Sequence, residues 1–198
     1  LLIDKTTVLY DEEVVNAYYD VIDKTIVVTS AIMHRPFLYL YGPIGLNYGG
    51  LGMIIGHELM HALDVRNIKR HKWWPEIIKG YTERALCLRR SHKSVLFASV
   101  LPALNDTVDS ENLADLVGTK IAYAAFASLP EKYKGVKLAG FNMTSEQLFF
   151  VSHCAKWCAH LSKSTRRYAP FRSRCLVPLM NLPEFSRAFG CRAGTPMN

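Results

Sequence analysis

Along this chain the apolar positions change period several times, and each change marks an expected element. In "DEEVVNAYYDVIDKTIVVTSAIM" β-branched residues alternate with polar ones around Asn16 and from Ile26 to Val28. That two-residue period predicts two short strands separated by a turn. The glycine-rich "NYGGLG" (47–52) is expected to break the chain before a helix running from Met53 to Val65. Residues 66–109 are basic and irregular, with a helix only around "WWPEIIKGYTERALCLRRS". In "DSENLADLVGTKIAYAAFASL" apolar residues recur at 113, 117, 121 and 124, which predicts a long helix with Asp109 or Ser110 as its N-cap. "TSEQLFFVSHCAKWCAHLSK" reads as a third helix, with Thr144 and Glu146 at its start. The proline-bearing "YAPFRSRCLVPLMNLPEF" is expected to be extended or looped, before a short "PEFSRAF" helix. These elements add up to an α+β chain, mainly α-helical, with a small β-sheet. A chain of 198 residues can bury a sizeable core as one domain, 1–198.

Within the first predicted helix, "GMIIGHELMHALD" (52–64) carries two histidines four apart, with a glutamate directly after the first. Residues i and i+4 share a helix face, so His57 and His61 can present imidazole nitrogens to one zinc ion. Glu58 lies about a hundred degrees round, beside such a metal, where a carboxylate can take a proton from water. The alternative is an apolar core helix with buried, satisfied histidines. A third ligand must come from elsewhere, and "ENLAD" offers Glu111 and Asp115, again i and i+4. Glu111 can ligate while Asp115 accepts a hydrogen bond from the far nitrogen of a ligand histidine. Taken alone, "ENLAD" would instead be a solvated helix start.

Composition limits the alternatives. Hydrophobic residues make up 49% and charged residues 21%, a globular balance. No apolar run reaches the roughly 18 residues that span a bilayer, and no signal peptide opens the chain, whose first residue is not Met. It therefore reads as a fragment or processed piece. The net charge of +7 comes from "KRHKWW", "CLRRSHKS" and "KSTRRY". No nucleic-acid fold signature accompanies them, so a solvated basic face is expected and nucleic acid is not. The sequons Asn105-Asp-Thr107 and Asn142-Met-Thr144 fit a secretory history.

The chain resembles the neprilysin and endothelin-converting-enzyme family of zinc metallopeptidases. The resemblance rests on "VNAYY" (15–19), "NYGGLGMIIGHELMHALD" (47–64), "ENLAD" (111–115), "QLFF" (147–150), "KWC" (156–158) and "EFSRAFGCRAGTPMN" (184–198). It covers nearly the entire chain, as the C-terminal catalytic part of a longer ectodomain. The resemblance implies a gluzincin-type catalytic domain holding one Zn2+ through His57, His61 and Glu111, with Glu58 as general base. It places Asp115 behind one ligand histidine and Asp64 behind the other. Asn16 and Ala17 correspond to an edge segment that binds the backbone of an extended peptide. Ile32, Phe37, Met53, Ile54 and Trp157 match an apolar pocket for the residue after the cut, though each could equally be core. The implied reaction is hydrolysis of small extracellular peptides, at the cell surface or after secretion. Implied partners are peptide substrates and an N-terminal companion domain outside this sequence. Membrane attachment would come only through an N-terminal anchor, also outside it.

The match has departures. The family's C-terminal motif reads His-Ser-Pro with an arginine four positions after the proline, whereas this chain has "YAPFRSR" (168–174). Pro170 and Arg174 keep their places, but Tyr168 stands where that transition-state histidine is expected. Losing one such donor costs about 100- to 1,000-fold in rate. A weak or inert zinc-binding homologue that binds peptides or a partner protein is thus the alternative reading. Lys156 replaces an apolar residue before Trp157 and is expected to alter the pocket rim. The stretch between His61 and Glu111 is shorter than usual, and "GTPMN" lacks the usual final cysteine and tryptophan. Of five cysteines, Cys87, Cys158 and Cys191 match family cysteines whose partners lie outside this sequence. Cys154 and Cys175 match none, leaving an extra bridge or two unpaired buried thiols.

Overall fold

The computed structural model describes residues 12–64, 75–96, 106–158 and 167–197. Strands β1 (Ala17–Asp20) and β2 (Thr25–Val28) pair antiparallel with Ala17 opposite Val28. Their turn is closed by Asp20, whose Oδ1 accepts from Ile22 N at 2.8 Å and Asp23 N at 3.1 Å. The helices are α1 (Ile44–Asn47), α2 (Met53–His61), α3 (Pro75–Leu96), α4 (Asp106–Ala127), α5 (Glu131–Lys134), α6 (Ser145–Ala155), α7 (Phe171–Met180) and α8 (Pro183–Phe189). The fold is mainly helical, as the apolar periods predict.

Glycines determine how the central helices meet. A wider π-type turn, Tyr48–Gly52, joins α1 to α2 without interrupting the helical path. The expected break at "NYGGLG" is therefore absent, because these glycines serve close packing rather than turning. A Cβ on Gly45 would stand 2.0 Å from Ser145 O, and one on Gly49 would stand 2.0 Å from Phe149 O. The α1–α2 rod thus lies directly on the backbone of α6. Further along, Gly56 meets Gly118 of α4: a Cβ on Gly118 would approach His57 N to 2.5 Å.

Around these contacts sits an aromatic core. Phe149, Phe150, Met53 and Leu182 are buried there with Phe126 of α4. Phe126 and Phe149 stack at 5.7 Å, and Tyr123 lies over Phe150 at 5.6 Å. Thr144 starts α6 with a capping box: its hydroxyl accepts from Gln147 N at 3.1 Å, and its own N–H donates to Gln147 Oε1 at 3.1 Å. Such reciprocal caps contribute about 1 kcal/mol. Glu146, also expected at this helix start, lies in its first turn and accepts from Tyr123 OH.

Several boundaries differ from the sequence expectations. Helix α2 ends at His61 and continues as turns to Asp64, while Val65 lies outside the described residues. The helix expected around "WWPEIIKGYTERALCLRRS" is α3, which runs 22 residues from Pro75 and extends to Leu96. Helix α4 begins at Asp106, before the two expected caps. Those side chains are engaged in tertiary contacts instead: Asp109 pairs with Arg89 of α3, and Ser110 Oγ donates to Asp64 Oδ2 at 3.0 Å. The third expected helix stops at Ala155, and its projected end at 159–163 lies outside the described residues. Residues 171–180 form α7 rather than an extended segment. Pro170 occupies the N-cap, where no N–H is needed, and Pro178 falls in the last turn, where its cost is a single backbone bond.

Gly118→Ala should destabilise the protein by roughly 1–3 kcal/mol, because the helices must separate. Gly80→Ala should stabilise it by about 0.5–1 kcal/mol, since a Cβ at that position in α3 meets nothing within 4 Å. Urea denaturation of the two variants against the parent measures both signs.

Candidate metal centre

The crossing of α2 and α4 brings the sequence-predicted ligands together. His57 and His61 lie on one face of α2 with ring centroids 4.7 Å apart. Glu111 reaches them from α4, and one ligand atom from each of the three lies within 4.8 Å of the others. His57 Nε2 and His61 Nε2 are 3.0 Å apart, and Glu111 Oε2 lies 3.1 Å from the first and 3.4 Å from the second. A tetrahedral zinc ion with bonds of about 2.0–2.1 Å holds its ligand atoms about 3.3 Å apart. These side chains therefore form three corners of a tetrahedron that fits a small divalent cation, and two imidazoles with one carboxylate are a known catalytic zinc set.

The far sides of both rings are held by carboxylates. His57 Nδ1 is 2.8 Å from Asp115 Oδ1, and His61 Nδ1 is 3.6 Å from Asp64 Oδ2. Placing a proton on each Nδ1 leaves both Nε2 lone pairs facing the shared point, the tautomer metal binding needs. Arg174 then fixes Asp115 with a two-pronged bond, Nε to Oδ2 at 2.7 Å and Nη2 to Oδ1 at 2.8 Å.

The electrostatics favour positive charge at this point. Burial opposes the charged form of both histidines. At His57 the hydrogen bonds to Asp115 and Glu111 outweigh it and raise the pKa. At His61, Asp64 and Glu111 raise it to about 9. Burial also disfavours the charged carboxyls of Glu111 and Asp115. Both are nonetheless held well below the usual range, Glu111 by the two histidines and Asp115 chiefly by Arg174. A field that favours protons on the rings also favours a metal cation between them.

Glu58 stands beside this cluster, its Oε1 3.9 Å from His57 Nε2. Its Oε2 accepts from the Tyr19 backbone N–H of β1 at 3.0 Å. Burial pushes the Glu58 carboxyl up, with a further push from Glu111, against the pull of His57 and His61. That environment suits a carboxylate that takes and returns a proton.

The remaining predicted residues are distributed around this centre. Asn16 is exposed and Ala17 is 4% exposed, next to Tyr19 on the strand facing α2. Ile32, Met53 and Ile54 are buried in one apolar cluster, with Phe37 and Trp157 as its partly exposed members. Tyr168 is sandwiched among cations: Arg174 Cζ lies 4.6 Å and Arg167 Cζ 5.2 Å from its ring centroid. Burial raises the Tyr168 pKa, so its hydroxyl stays a donor. Lys156 departs from expectation. It is 9% exposed, and its Nζ donates to Gly49 O at 2.9 Å, inside the fold rather than on a pocket rim.

Other features were left open or unread in the sequence. Cys154 and Cys175 form a disulfide that ties α6 to α7, resolving the open alternative in favour of a bridge. Within the "CLRRSHKS" cluster Arg89 and His92 are buried while Arg90 is exposed and Lys93 half-buried, so this part is solvated only on one side. "KRHKWW" and most of "KSTRRY" lie outside the described residues. Arg167 donates from Nε to Glu111 Oε1 at 2.6 Å, a contact with no sequence signal beyond its place before Tyr168.

A family model for peptidase family M13 matches residues 16–198. The chain belongs to peptidase family M13. It is 34% identical to Neprilysin-1 of Caenorhabditis elegans, over 93% of this chain and 27% of that protein. It is 33% identical to Membrane metallo-endopeptidase-like 1 of Mus musculus, over 99% of this chain and 28% of that protein. The M13 chain thus spans little more than a quarter of the relatives it matches. Among solved structures, the Haemonchus galactose containing glycoprotein complex gives a TM-score of 0.78 at 25% identity, over 98% of this chain and 32% of that one. The Mycobacterium tuberculosis zinc metalloprotease ZMP1 in complex with inhibitor gives 0.78 at 23% identity, over 98% and 32%, a likeness of fold.

Behind the site, burial holds the His92 pKa down to about 4 and, aided by Lys156, the His153 pKa down to about 3. Their unfolded values lie near 6.5, so the unfolded chain binds protons first as pH falls. Stability should therefore drop between about pH 6.5 and 4, on the order of 1 kcal/mol per pH unit for each group. In urea titrations from pH 7 to 5, His92→Gln should show a shallower decline than the parent.

Proposed function

We propose that this M13 chain is the catalytic part of a zinc metalloendopeptidase that hydrolyses peptide bonds in small extracellular peptides. The observation that carries this reading is the convergence of His57 Nε2, His61 Nε2 and Glu111 Oε2, at 3.0 to 3.4 Å, beside the raised carboxyl of Glu58. One Zn2+ held there by His57, His61 and Glu111 would supply Lewis acidity and lower the pKa of water. Glu58 then takes a proton from the attacking water and passes it to the leaving amine. Asp115 and Asp64 keep each histidine in the required tautomer, and Arg174 keeps Asp115 charged and in place.

Peptide binding follows from β1. Tyr19 N–H points to Glu58 rather than to β2, so by strand alternation the backbone of Ala17 faces the same side. That edge, flanked by Asn16, can take an extended peptide by strand addition, with register set by backbone hydrogen bonds. Phe37 and Trp157, two half-buried members of the apolar cluster, would meet the side chain after the cut, with Ile32, Met53 and Ile54 behind them. In this reading the rest of the protein provides a companion domain and any membrane anchor. Among the described residues no helix is long and apolar enough to cross a membrane. An extracellular or cell-surface location is supported by the Cys154–Cys175 disulfide and by the exposed Asn142 of its sequon.

The second reading, a zinc-binding but weak or inert homologue, is favoured by Tyr168, a neutral donor where the family resemblance implies a histidine. Cleavage of a quenched peptide library with and without chelator separates the two. Glu58→Gln should lower kcat by about 100- to 10,000-fold while zinc stays bound. A parent protein that holds stoichiometric zinc yet cleaves nothing, and gains turnover on Tyr168→His, would support the second reading instead.

A further inference from the structure

The two acidic residues that α4 sends into the centre each have an arginine behind them. Asp115 is gripped by Arg174 from α7, deep in the fold. Glu111 is gripped by Arg167, whose side chain is 53% exposed while that of Glu111 is 1% exposed. The two oxygens of Glu111 have different partners. Oε2 lies 3.1 Å from His57 Nε2 and 3.4 Å from His61 Nε2, while Oε1 accepts from Arg167 Nε at 2.6 Å. The Arg167 guanidinium also lies over the Tyr168 ring, which limits its sideways movement.

We propose that Arg167 is a positioning residue that pins the outer oxygen of Glu111, so that this carboxylate offers one oxygen to the metal. A carboxylate with both oxygens open can bind a cation through both, which fills a position that a catalytic site must leave for water or substrate. A short charge-assisted bond to a permanently charged, planar guanidinium removes that option. Arg167 acts from outside the ligand set, and its pairing with Glu111 complements the Arg174–Asp115 pair that sets the histidine side. The proposal rests on the metal-centre reading above.

The test uses the full protein and has two readouts besides activity. Zinc affinity is measured by competition with a chromophoric chelator, and coordination by the visible spectrum of the Co2+-loaded protein. Arg167→Gln is expected to weaken Zn2+ binding about 10- to 100-fold. It should also dim the cobalt bands, as a second carboxylate oxygen raises the coordination number. Arg167→Lys, which keeps the charge, should recover part of both. An Arg167→Gln protein with affinity within twofold of the parent overturns the proposal. Weaker binding with an unchanged cobalt spectrum also overturns it, since Arg167 would then steady Glu111 without setting how many of its oxygens reach the metal. If Arg167→Gln does not fold, the same two criteria apply to Arg167→Ala. A parent protein that binds no zinc, or binds it undiminished in His61→Ala, overturns the metal-centre reading itself and this proposal with it.

Discussion

The centre depends on how closely α2 and α4 cross. At Gly56 and Gly118 the two backbones come so near that a Cβ on either would overlap the other helix. His57 follows Gly56 directly, while Asp115 and Glu111 precede Gly118 by one and two helical turns. The contact that closes the helix pair therefore also sets the distances between imidazoles and carboxylates. The three donor atoms lie 3.0 to 3.4 Å apart, and a separation of even one ångström would carry them out of range of a common ion. Gly45 and Gly49 extend the same device to α6, so the rod carrying the histidines is seated along its length on neighbouring backbone.

Such packing places many charges in the interior, and each must find a partner. A buried carboxylate costs several kcal/mol of desolvation unless it is paired and hydrogen-bonded. Asp115 is paired by Arg174 and His57, Asp109 by Arg89, and Glu111 by Arg167 and the histidines. Lys156 carries an opposite load: burial drives its pKa well below the usual lysine value, and its amine is satisfied by Gly49 O. The Cys154–Cys175 bridge binds α6 to α7 one residue from Arg174, and His153 Nε2 donates to Cys175 O at 3.1 Å beside it. The arginine that holds Asp115 thus stands on a helix fastened by both covalent and polar links.

Much of this was legible in the sequence, and the limits have physical causes. The i, i+4 spacings of His57 with His61 and of Glu111 with Asp115 are local properties of a helix, so the side chains that share a face could be read directly. The β1–β2 hairpin followed from two-residue alternation in the same way. What escaped depends on contacts between distant segments. Gly49 and Gly50 carry the composition of a turn, and only the nearness of Phe149 O and Phe37 O shows that they serve packing. Asp109 and Ser110 have the chemistry of caps but are taken up by Arg89 and Asp64. The prolines at 170 and 178 argued against a helix that tolerates both because they fall at its ends. Arg167 looked like one more residue of a basic run, although its partner lies 56 positions away.

Position 168 gains a different meaning in this setting. A tyrosine there removes a titratable cation, yet two guanidiniums lie within about 5 Å of its ring, Arg167 on the Glu111 side and Arg174 on the Asp115 side. Both are charged at any physiological pH. The ring keeps them over an apolar face, and burial keeps its hydroxyl protonated. The substitution therefore leaves this wall of the site with positive charge and a donor, but moves the charge to groups already bound to carboxylates. A bound arginine is better placed to orient than to travel with a developing oxyanion. The contacts of Arg167 with Glu111 and of Arg174 with Asp115 accordingly assign both arginines to ordering the carboxylates around the histidines.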